Sequence, residues 1–451
     1  MTRNPATGED LEAYPTTPAG DVEDALAAAT SAQADWAHWS FSDRGRGIEA
    51  VARRLEKNAD QLARLMAQEM GKPVDQGAAE TAKSAWVCDY YAEGAAEFLA
   101  DEPVATDAQR SFVAYRPLGT ILAVMPWNFP LWQVLRCAAP SLMAGNAVVL
   151  KHSPNVTGCA LALQDLMTAE LPAGLFQTLV LNEAAVAPLI ADPRVQAVTL
   201  TGSPQAGRAV ARAAGAHLKK SVLELGGSDP YIVLADADLD LAARECVASR
   251  LINTGQSCIA AKRLIVVDAV RSDFTDRCVA AMTKGRTGPP LESPVDLGPL
   301  ARSDLRLRLH RQVQGSMRMG AHLVAGGALP EGPGFFYPPT VLTDVAPGMP
   351  AFDEETFGPV AAIVPARDED TAVDLANASP FGLGAAVFTA DVDHGEDLAR
   401  RRLRAGCAFV NAFVRSDPRL PFGGIGMSGY GRELSPLGIK EFVNAKTVYV
   451  A

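Results

Sequence analysis

Short apolar strands alternate with helical segments between residues 147 and 225, and this alternation restricts the possible folds more than any other feature of the chain. A repeated strand, helix, strand order is typical of a parallel sheet with helices on both faces. A second alternating segment runs from Tyr231 to Phe409. The sequence therefore predicts an α/β protein with two doubly wound parallel-sheet lobes and a cleft between them. In the first segment the predicted strands are 147–150, 176–181 and 221–225, and the predicted helices are 158–169 and 206–214.

Composition limits the class of protein and its partners. Hydrophobic residues make up 48% and charged residues 21% of the 451 positions, which is typical of a globular, water-soluble chain. The net charge of −11 argues against a nucleic acid or an anionic membrane as partner, because both would be repelled. No apolar run reaches the roughly 18 residues of a membrane span and no signal-peptide pattern is present, so we expect a cytoplasmic protein. The seven cysteines lack CxxC or Cys/His spacing, which disfavours a disulfide framework and a zinc site.

Polar and glycine residues follow three of the predicted strands. Lys151 follows the strand 147–150, Gly202 and Ser203 follow a further predicted strand at 195–201, and Glu224 lies at the end of the strand that begins near Ser221. In open parallel sheets ligands bind beyond the carboxyl ends of the strands, where free N–H groups begin a helix. The segment 201–207 has glycines suited to close backbone approach and could receive a phosphate, although it matches neither GxGxxG nor a P-loop. The alternative is an ordinary tight turn between strand and helix.

Two residues are candidates for covalent chemistry. Cys258 ends the polar, glycine-containing segment 253–258, which favours a reachable thiol over a buried cysteine that fills the core. The rigid turn Pro126–Pro130 holds Asn128 between two prolines, and a side-chain amide held in this way suits an oxyanion hole. An ordinary asparagine in a proline turn is the alternative. No histidine stands at a recognisable spacing from a Ser or Cys, so a Cys-His hydrolase has no obvious base.

Seven motifs occur along the chain, and together they resemble those of the aldehyde dehydrogenase superfamily in the family's order. The resemblance covers nearly the whole chain and is strongest to succinate-semialdehyde dehydrogenases. The motifs are PWNFP at 126–130, GNAVVLKHSP at 145–154, TGSPQAG at 201–207, LELGGSDP at 223–230, NTGQSC at 253–258, EETFGPV at 354–360 and PFGGIGMSGYGRE at 421–433.

The resemblance implies oxidation of an aldehyde to a carboxylic acid without phosphorylation. Cys258 would attack the carbonyl carbon to form a thiohemiacetal, whose oxyanion is held by the Asn128 amide and the Cys258 backbone N–H. Hydride transfer would leave a thioester. Glu224 resembles the general base that activates the hydrolytic water, so release by hydrolysis is expected rather than acyl transfer to coenzyme A.

The same resemblance implies a dinucleotide site. Lys151 resembles the lysine on the adenosine ribose, Ser203 the serine at the pyrophosphate, and Glu355 with Phe357 the pair at the nicotinamide ribose and ring. Many members that prefer NAD have an acidic residue three positions after the lysine, where this chain has Pro154. We therefore expect either NAD or NADP. The full predicted set is Trp127, Lys151, Ser153, Gly202, Ser203, Leu225, Glu355 and Phe357.

The substrate prediction depends on arginines. Arg136 resembles the carboxylate-binding arginine of succinate-semialdehyde dehydrogenases, with an internal ion pair as the alternative role. Ser257 and Arg419 complete the predicted substrate site, Arg419 as a possible second anchor. Some relatives have an arginine where this chain has Ile252. Succinate semialdehyde is the expected substrate. The alternatives are a dehydrogenase for aliphatic or other carboxylated aldehydes, a cofactor-free thiol esterase, and a non-catalytic binding protein.

The family's domain plan gives the expected boundaries. Residues 1–107 and 125–225 are expected to form the dinucleotide-binding domain, and residues 226–433 the catalytic domain. Residues 108–124 and 434–451 are expected to form a small β oligomerisation arm that pairs with a neighbouring subunit. We expect a homodimer or homotetramer.

Overall fold

The computed structural model describes residues 2–451. Its strands form three sheets, and its helices cover the two larger sheets. The strands are β1 Glu102–Pro103, β2 Arg110–Pro117, β3 Thr120–Met125, β4 Ala147–His152, β5 Phe176–Thr178, β6 Val195–Thr201, β7 Lys220–Glu224, β8 Pro230–Val233, β9 Arg263–Val267, β10 His322–Ala325, β11 Thr340–Thr343, β12 Val360–Ala366, β13 Gly384–Phe388, β14 Cys407–Val410, β15 Gly429–Tyr430 and β16 Val443–Val450.

The helices alternate with these strands after an N-terminal group of four. They are α1 Ala19–Trp36, α2 Phe41–Lys57, α3 Ala59–Met70, α4 Val74–Phe98, α5 Trp132–Met143, α6 Thr157–Thr168, α7 Val186–Ala191, α8 Pro204–Ala216, α9 Leu239–Leu251, α10 Arg271–Met282, α11 Ser303–Arg318, α12 Pro350–Asp353, α13 Glu369–Asn377, α14 Val392–Asp397 and α15 Ser435–Ile439. In residues 2–451, none of these helices combines the length and the apolar character that crossing a lipid bilayer requires.

The first sheet has the order β15-β7-β6-β3-β4-β5. Its strands run parallel except for the short β15, which pairs antiparallel to β7 at one edge. The six residues of β4 are all buried, as expected for a parallel strand covered on both faces. The carboxyl ends of β4, β6 and β7 therefore open onto one edge, where Lys151, Gly202 and Glu224 lie.

The N-terminal helices pack onto this sheet through apolar faces. Helix α2 begins at Phe41, where Ser40 accepts a hydrogen bond from the Asp43 N–H, and it buries Val51 and Leu55. Helix α3 ends at Gly71, whose φ of 79° lies in the left-handed region that glycine adopts without strain. These helices share one apolar core with the sheet.

The second sheet has the order β10-β11-β12-β9-β8-β13-β14, and only β10 runs antiparallel to its neighbour. Its strands are short and apolar, and separate cores lie on its two faces. Helix α9 covers one face and leads directly into the segment that carries Cys258. This arrangement matches the predicted α/β fold with two parallel-sheet lobes.

The third sheet is the arm, with the order β1-β2-β16. Strand β16 pairs with β2 along eight residues, from Val443 opposite Pro117 to Val450 opposite Arg110. Two predicted boundaries differ from the sheets observed. Residues 120–124, predicted in the arm, belong to β3, which is hydrogen-bonded between β4 and β6. Residues 429–430, predicted in the catalytic domain, extend the first sheet as β15.

Candidate active site

Two cavities meet at the side chain of Cys258. We call the first the Lys83 cavity; it has a volume of about 200 Å³ and apolar walls. The second, the Glu355 cleft, runs along the open edge of the first sheet. Cys258 and Gln133 line both cavities, so molecules in either one can reach the same partly exposed thiol. The Lys83 cavity is also lined by Phe129, Trp132, Arg136, Ser257, Phe413 and Phe422, and the Glu355 cleft by Trp127, Asn128, Gly202, Ser203, Leu225 and Phe357.

The backbone before Cys258 has an uncommon conformation. Asn253 and Thr254 have φ values of 53° and 56°, in the left-handed region that residues other than glycine rarely adopt. The buried Arg250 donates from Nη2 to the Gly255 carbonyl at 2.6 Å, and this hydrogen bond stabilises the turn that precedes Cys258. Strained backbone of this kind persists only where the surroundings determine it fully, and it is frequent at active sites.

Lys262 also stabilises the segment that carries Cys258. Its buried Nζ donates to the carbonyl oxygens of Ser257 at 3.0 Å and Cys258 at 2.5 Å. The same nitrogen lies 3.8 Å from a carboxylate oxygen of Glu355. Nearby, burial raises the pKa of Asp229 to about 7, with Lys262 acting in the opposite direction. The cation of Lys262 thus connects the cysteine backbone to the carboxylate of the Glu355 cleft.

Burial and nearby positive charges act in opposite directions on the pKa of the Cys258 thiol. Burial raises the pKa of the thiol to about 12, while the positive charges of Arg136 and Lys262 act to lower it. Because the thiolate is the nucleophile, these two cations favour the reactive form.

Asn128 lies in the Pro126–Pro130 turn with its side chain 4% exposed. Its Nδ2 donates to the Gln256 carbonyl at 3.0 Å, and its backbone oxygen accepts from Lys72 Nζ at 2.9 Å and Asn253 Nδ2 at 2.7 Å. A carboxamide has two N–H donors, so the contact with Gln256 leaves one for a developing oxyanion. The turn and the cysteine segment are therefore bonded directly to each other.

A buried ion pair lies beneath the Asn128 turn. Lys72 contacts the carboxylate of Glu80, and both side chains are almost fully buried. Glu80 Oε1 also accepts from the backbone N–H groups of Leu131 at 2.9 Å and Trp132 at 3.1 Å, at the start of α5. A carboxylate at a helix N-terminus is stabilised by those free N–H groups and by the helix dipole. Glu80 therefore fixes both the turn and the helix that follows it.

Glu224 ends β7 and is 2% exposed. In the described chain neither of its carboxylate oxygens has a hydrogen-bond partner, and Glu224 is not among the residues that line the two cavities. Burial raises its pKa well above the ordinary value and the nearby Glu433 adds to this effect, whereas Arg136 opposes it. An unpartnered buried carboxyl of this kind is suited to hold a proton.

Arg136 points from α5 toward the carboxylate of Glu433, and the two form an ion pair with side chains 2% and 4% exposed. The guanidinium also donates to Thr201 Oγ1 at 3.2 Å and lies over the ring of Phe422, 4.9 Å from its centroid. Its charge interacts with Glu224 and Cys258 as well. Arg136 therefore lines the Lys83 cavity but directs its charge to the carboxylate of Glu433. This contact favours the internal ion pair over binding of the substrate carboxylate.

Comparison with known proteins agrees with this geometry. A family model described as the aldehyde dehydrogenase family matches residues 1–448. The chain belongs to that family. The NAD(P)+ succinate semialdehyde dehydrogenase of Escherichia coli strain K12 is 48% identical over 447 residues, covering 99% of this chain and 96% of its own. A probable NADP+ succinate-semialdehyde dehydrogenase of a Synechocystis species is 49% identical, covering 100% of this chain and 99% of its own.

A solved structure shows the same fold. The succinic semialdehyde dehydrogenase of Streptococcus pyogenes, in complex with NADP+, is 35% identical and superimposes with a TM-score of 0.97. The match covers 100% of this chain and 99% of that one. The aldehyde dehydrogenase fold therefore extends over the whole chain.

The dinucleotide residues expected for an aldehyde dehydrogenase are only partly brought together. Six of the eight line the Glu355 cleft, whereas Lys151 and Ser153 lie at the end of β4, outside its lining. Phe357 packs edge-on against Trp127, with ring centroids 5.8 Å apart. One wall was not anticipated from the sequence and comes from one face of α11. Its residues are Leu305, Arg308, Leu309 and Gln312, at the spacing of a helical face.

Arg419, predicted as a substrate residue, is not among the residues that line the Lys83 cavity. Its guanidinium is exposed and ion-paired with Asp417 at 2.7 Å, away from the walls of the Lys83 cavity. The short sequence distance to Asp417 favours that local pair over a contact with a distant cavity. The cations that line the cavity in this aldehyde dehydrogenase are instead Lys83 and Arg415, together with Arg136 and Lys72.

Proposed function

We propose that this aldehyde dehydrogenase oxidises succinate semialdehyde to succinate with NAD or NADP. The observation that carries the proposal is the position of the Cys258 thiol, on the wall shared by the Lys83 cavity and the Glu355 cleft. A nucleophile there can hold an aldehyde from one side while a hydride acceptor approaches from the other. The full-length relatives named as succinate-semialdehyde dehydrogenases support the substrate.

The Glu355 cleft offers hydrogen-bond donors and acceptors that suit a nicotinamide dinucleotide. Ser203 caps α8, so the first N–H groups of that helix face the same sheet edge and favour a phosphate group. The Glu355 carboxylate, oriented by the Gly227 N–H at 3.1 Å, can accept hydrogen bonds from ribose hydroxyls. A Cβ at Gly226 would lie 2.4 Å from Glu355 Oε2, so a side chain there would displace the Glu355 carboxylate from this position. When bound, NAD or NADP supplies a nicotinamide ring that accepts hydride from the aldehyde carbon.

The chain's own residues carry the rest of the reaction. The partly exposed Cys258 thiol gives its proton to solvent water. Its sulfur then bonds to the carbonyl carbon, and the electron pair of the C=O bond moves to oxygen. The second N–H of the Asn128 amide stabilises that oxyanion. After hydride leaves, the carbonyl reforms and Cys258 holds the acyl group as a thioester. Water then attacks the thioester carbon while Glu224 takes the proton from water, and the C–S bond breaks to release the carboxylate and the thiol.

The electrostatics of the site support these roles. Lys262 and Arg136 lower the pKa of Cys258 against the effect of burial, so they promote the nucleophilic thiolate. Burial raises the pKa of Glu224, so its ionised carboxylate binds a proton more strongly than an exposed carboxylate does.

Either dinucleotide fits the end of β4. Ser153 directs its hydroxyl to Asn155 Oδ1 at 2.7 Å, and Pro154 carries no charge that would repel a 2′-phosphate. Lys151 is 5% exposed and, in the described chain, makes no ion pair with a carboxylate within 4.0 Å, so its charge is available to a ribose or a phosphate. The relatives named with NADP+ are consistent with this proposal.

Assembly and location complete the proposal. The long β2–β16 pairing leaves the three-stranded arm with an open edge, and a second subunit would cover such an edge in a homodimer or homotetramer. The first sheet with its helices would be the dinucleotide-binding domain, and the second sheet the catalytic domain. The seven cysteines are all free, and the mechanism needs Cys258 as a thiol. A reducing compartment such as the cytoplasm keeps cysteines in that form.

A panel of aldehydes assayed with both dinucleotides tests the proposal. We expect kcat/KM for succinate semialdehyde to exceed that for butyraldehyde by about 30-fold or more, because a desolvated charge pair contributes roughly 2–5 kcal/mol. The apolar walls of the Lys83 cavity favour a second candidate, a dehydrogenase for simple aliphatic aldehydes. Equal kcat/KM values for the two substrates would support that candidate, and absence of dinucleotide reduction with every aldehyde would refute both.

A further inference from the structure

Lys83 is a cation on the wall of the substrate cavity that lacks a carboxylate partner in the described chain. It lies on α4, and its Nζ donates to Ser416 Oγ at 2.8 Å. The ammonium also lies 4.3 Å from the centroid of the Trp132 ring, which limits where it can move. The contacts with Ser416 and Trp132 hold the charge in place without neutralising it.

The other buried cations of this cavity are already matched. Arg136 pairs with Glu433, and Lys72 pairs with Glu80. A buried cation and carboxylate in contact satisfy each other, and recruiting one of them for a ligand would leave its partner unpaired at a cost of several kcal/mol. Lys83 can bind an anion without that cost.

We propose that Lys83 binds the distal carboxylate of the substrate and thereby sets the preference of this enzyme for aldehydes that carry one. The inference deepens the proposed function and rests on it, because it names the residue that recognises the charged end of succinate semialdehyde. Lys83 and Cys258 line the same cavity of about 200 Å³, so one small molecule can contact both. The charge of Arg136 acts on Cys258, Glu224 and Lys83 alike, but this arginine is already paired with Glu433.

The charges that face Lys83 make its end of the cavity attractive to an anion. Burial lowers the pKa of Lys83 to about 8, and Arg136 and Arg415 lower it further, while Asp417 and Glu80 act to raise it. Glu80 is engaged by Lys72, and Asp417 by Arg419. A carboxylate placed beside Lys83 would favour its charged form and would also be attracted by Arg415 at the cavity mouth.

Paired substrates and paired variants of Lys83 test the inference. Lys83→Met keeps an unbranched side chain against Trp132 but removes the charge, and Lys83→Arg keeps the charge. We expect Lys83→Met to lower kcat/KM for succinate semialdehyde about 30-fold or more, mainly through KM, and to change kcat/KM for butyraldehyde less than about threefold. Lys83→Arg should recover much of the loss. Lys284→Met, at an exposed lysine remote from the cavity, serves as the matched control.

Product inhibition gives a readout that does not depend on turnover of the charged substrate. Succinate should inhibit butyraldehyde oxidation by the unaltered enzyme, and Lys83→Met should raise its inhibition constant by a similar factor while leaving that of butyrate unchanged. If Lys83→Met lowered kcat/KM equally for both aldehydes, or left the inhibition constant of succinate unchanged, the proposed role of Lys83 would be overturned. If the enzyme prefers another carboxylated aldehyde, the proposed substrate fails, but the Lys83 comparison still holds for that aldehyde and its uncharged analogue.

Discussion

Replacing Arg136 with Met separates the two roles that the sequence left open for this arginine. The side chain is 2% exposed and contacts Glu433, while Glu224 and Cys258 lie within reach of its charge. The substitution leaves two buried carboxyls without their cation. Breaking one partner of a buried pair costs about 3–5 kcal/mol of stability. Protonation of Glu433 limits the cost, so we expect a value near the lower end.

Arg136→Met should slow the oxidation of every aldehyde by the same factor. Without Arg136 the pKa of Cys258 rises, and each unit of increase lowers the thiolate fraction, and with it the rate, about tenfold. We therefore expect kcat/KM for succinate semialdehyde and for butyraldehyde to fall by the same factor.

The stability loss should depend on pH. Both carboxyls have a raised pKa in the folded state, and removing Arg136, which opposes that rise, raises both pKa values further. The added destabilisation is therefore absent while both groups are protonated and grows as pH rises through their folded pKa values. The fall in Tm should therefore be larger at about pH 8 than at about pH 5.5.

Thermal unfolding and steady-state kinetics measure both effects. Glu433→Gln, alone and combined with Arg136→Met, completes a double-mutant cycle in which the pair should show a coupling energy of about 1–3 kcal/mol. A variant with unchanged Tm that loses activity only toward succinate semialdehyde would refute this reasoning and assign the substrate carboxylate to Arg136.

Four further outcomes follow from the site. Cys258→Ser should abolish dinucleotide reduction in a spectrophotometric assay, because the serine hydroxyl is a far weaker nucleophile. Glu224→Gln should give one rapid burst of reduced dinucleotide followed by slow turnover in stopped flow, and a linear trace at the normal rate would contradict its role as base. Glu80→Ala should lower Tm by the equivalent of about 3–5 kcal/mol, because Lys72 remains buried and unpaired. The pKa of Lys83 near 8 should make KM for succinate semialdehyde rise as pH passes from about 7 to 9, with no parallel rise for butyraldehyde.

The features that the sequence predicted well lie close together along the chain. Alternating strands and helices predicted the first sheet, because β4, β6 and β7 each carry their own apolar pattern and their own polar residue at the end. Cys258 and Asn128 were recognisable from the short motifs around them, and the structure bonds those two segments to each other.

The features that escaped prediction depend on contacts between distant segments. The partner of Arg136 is Glu433, nearly 300 positions away, and Lys83 reaches the cavity from a helix whose pattern indicates only packing. The strand β3 was misassigned to the arm because its apolar residues do not reveal which neighbours it pairs with. Register and partner choice depend on tertiary structure, which local periodicity does not encode.

The pairing of β15 with β7 has a consequence for how the protein is made in the cell. The ribosome completes the first five parallel strands, with Arg136 beside them, long before it reaches Gly429–Tyr430 and Glu433. Until then the nascent chain holds an uncovered sheet edge and a guanidinium without its counterion. The first lobe can therefore reach its final form only after the ribosome has passed Glu433, and a shorter nascent chain presents the exposed strand that chaperones and proteases recognise.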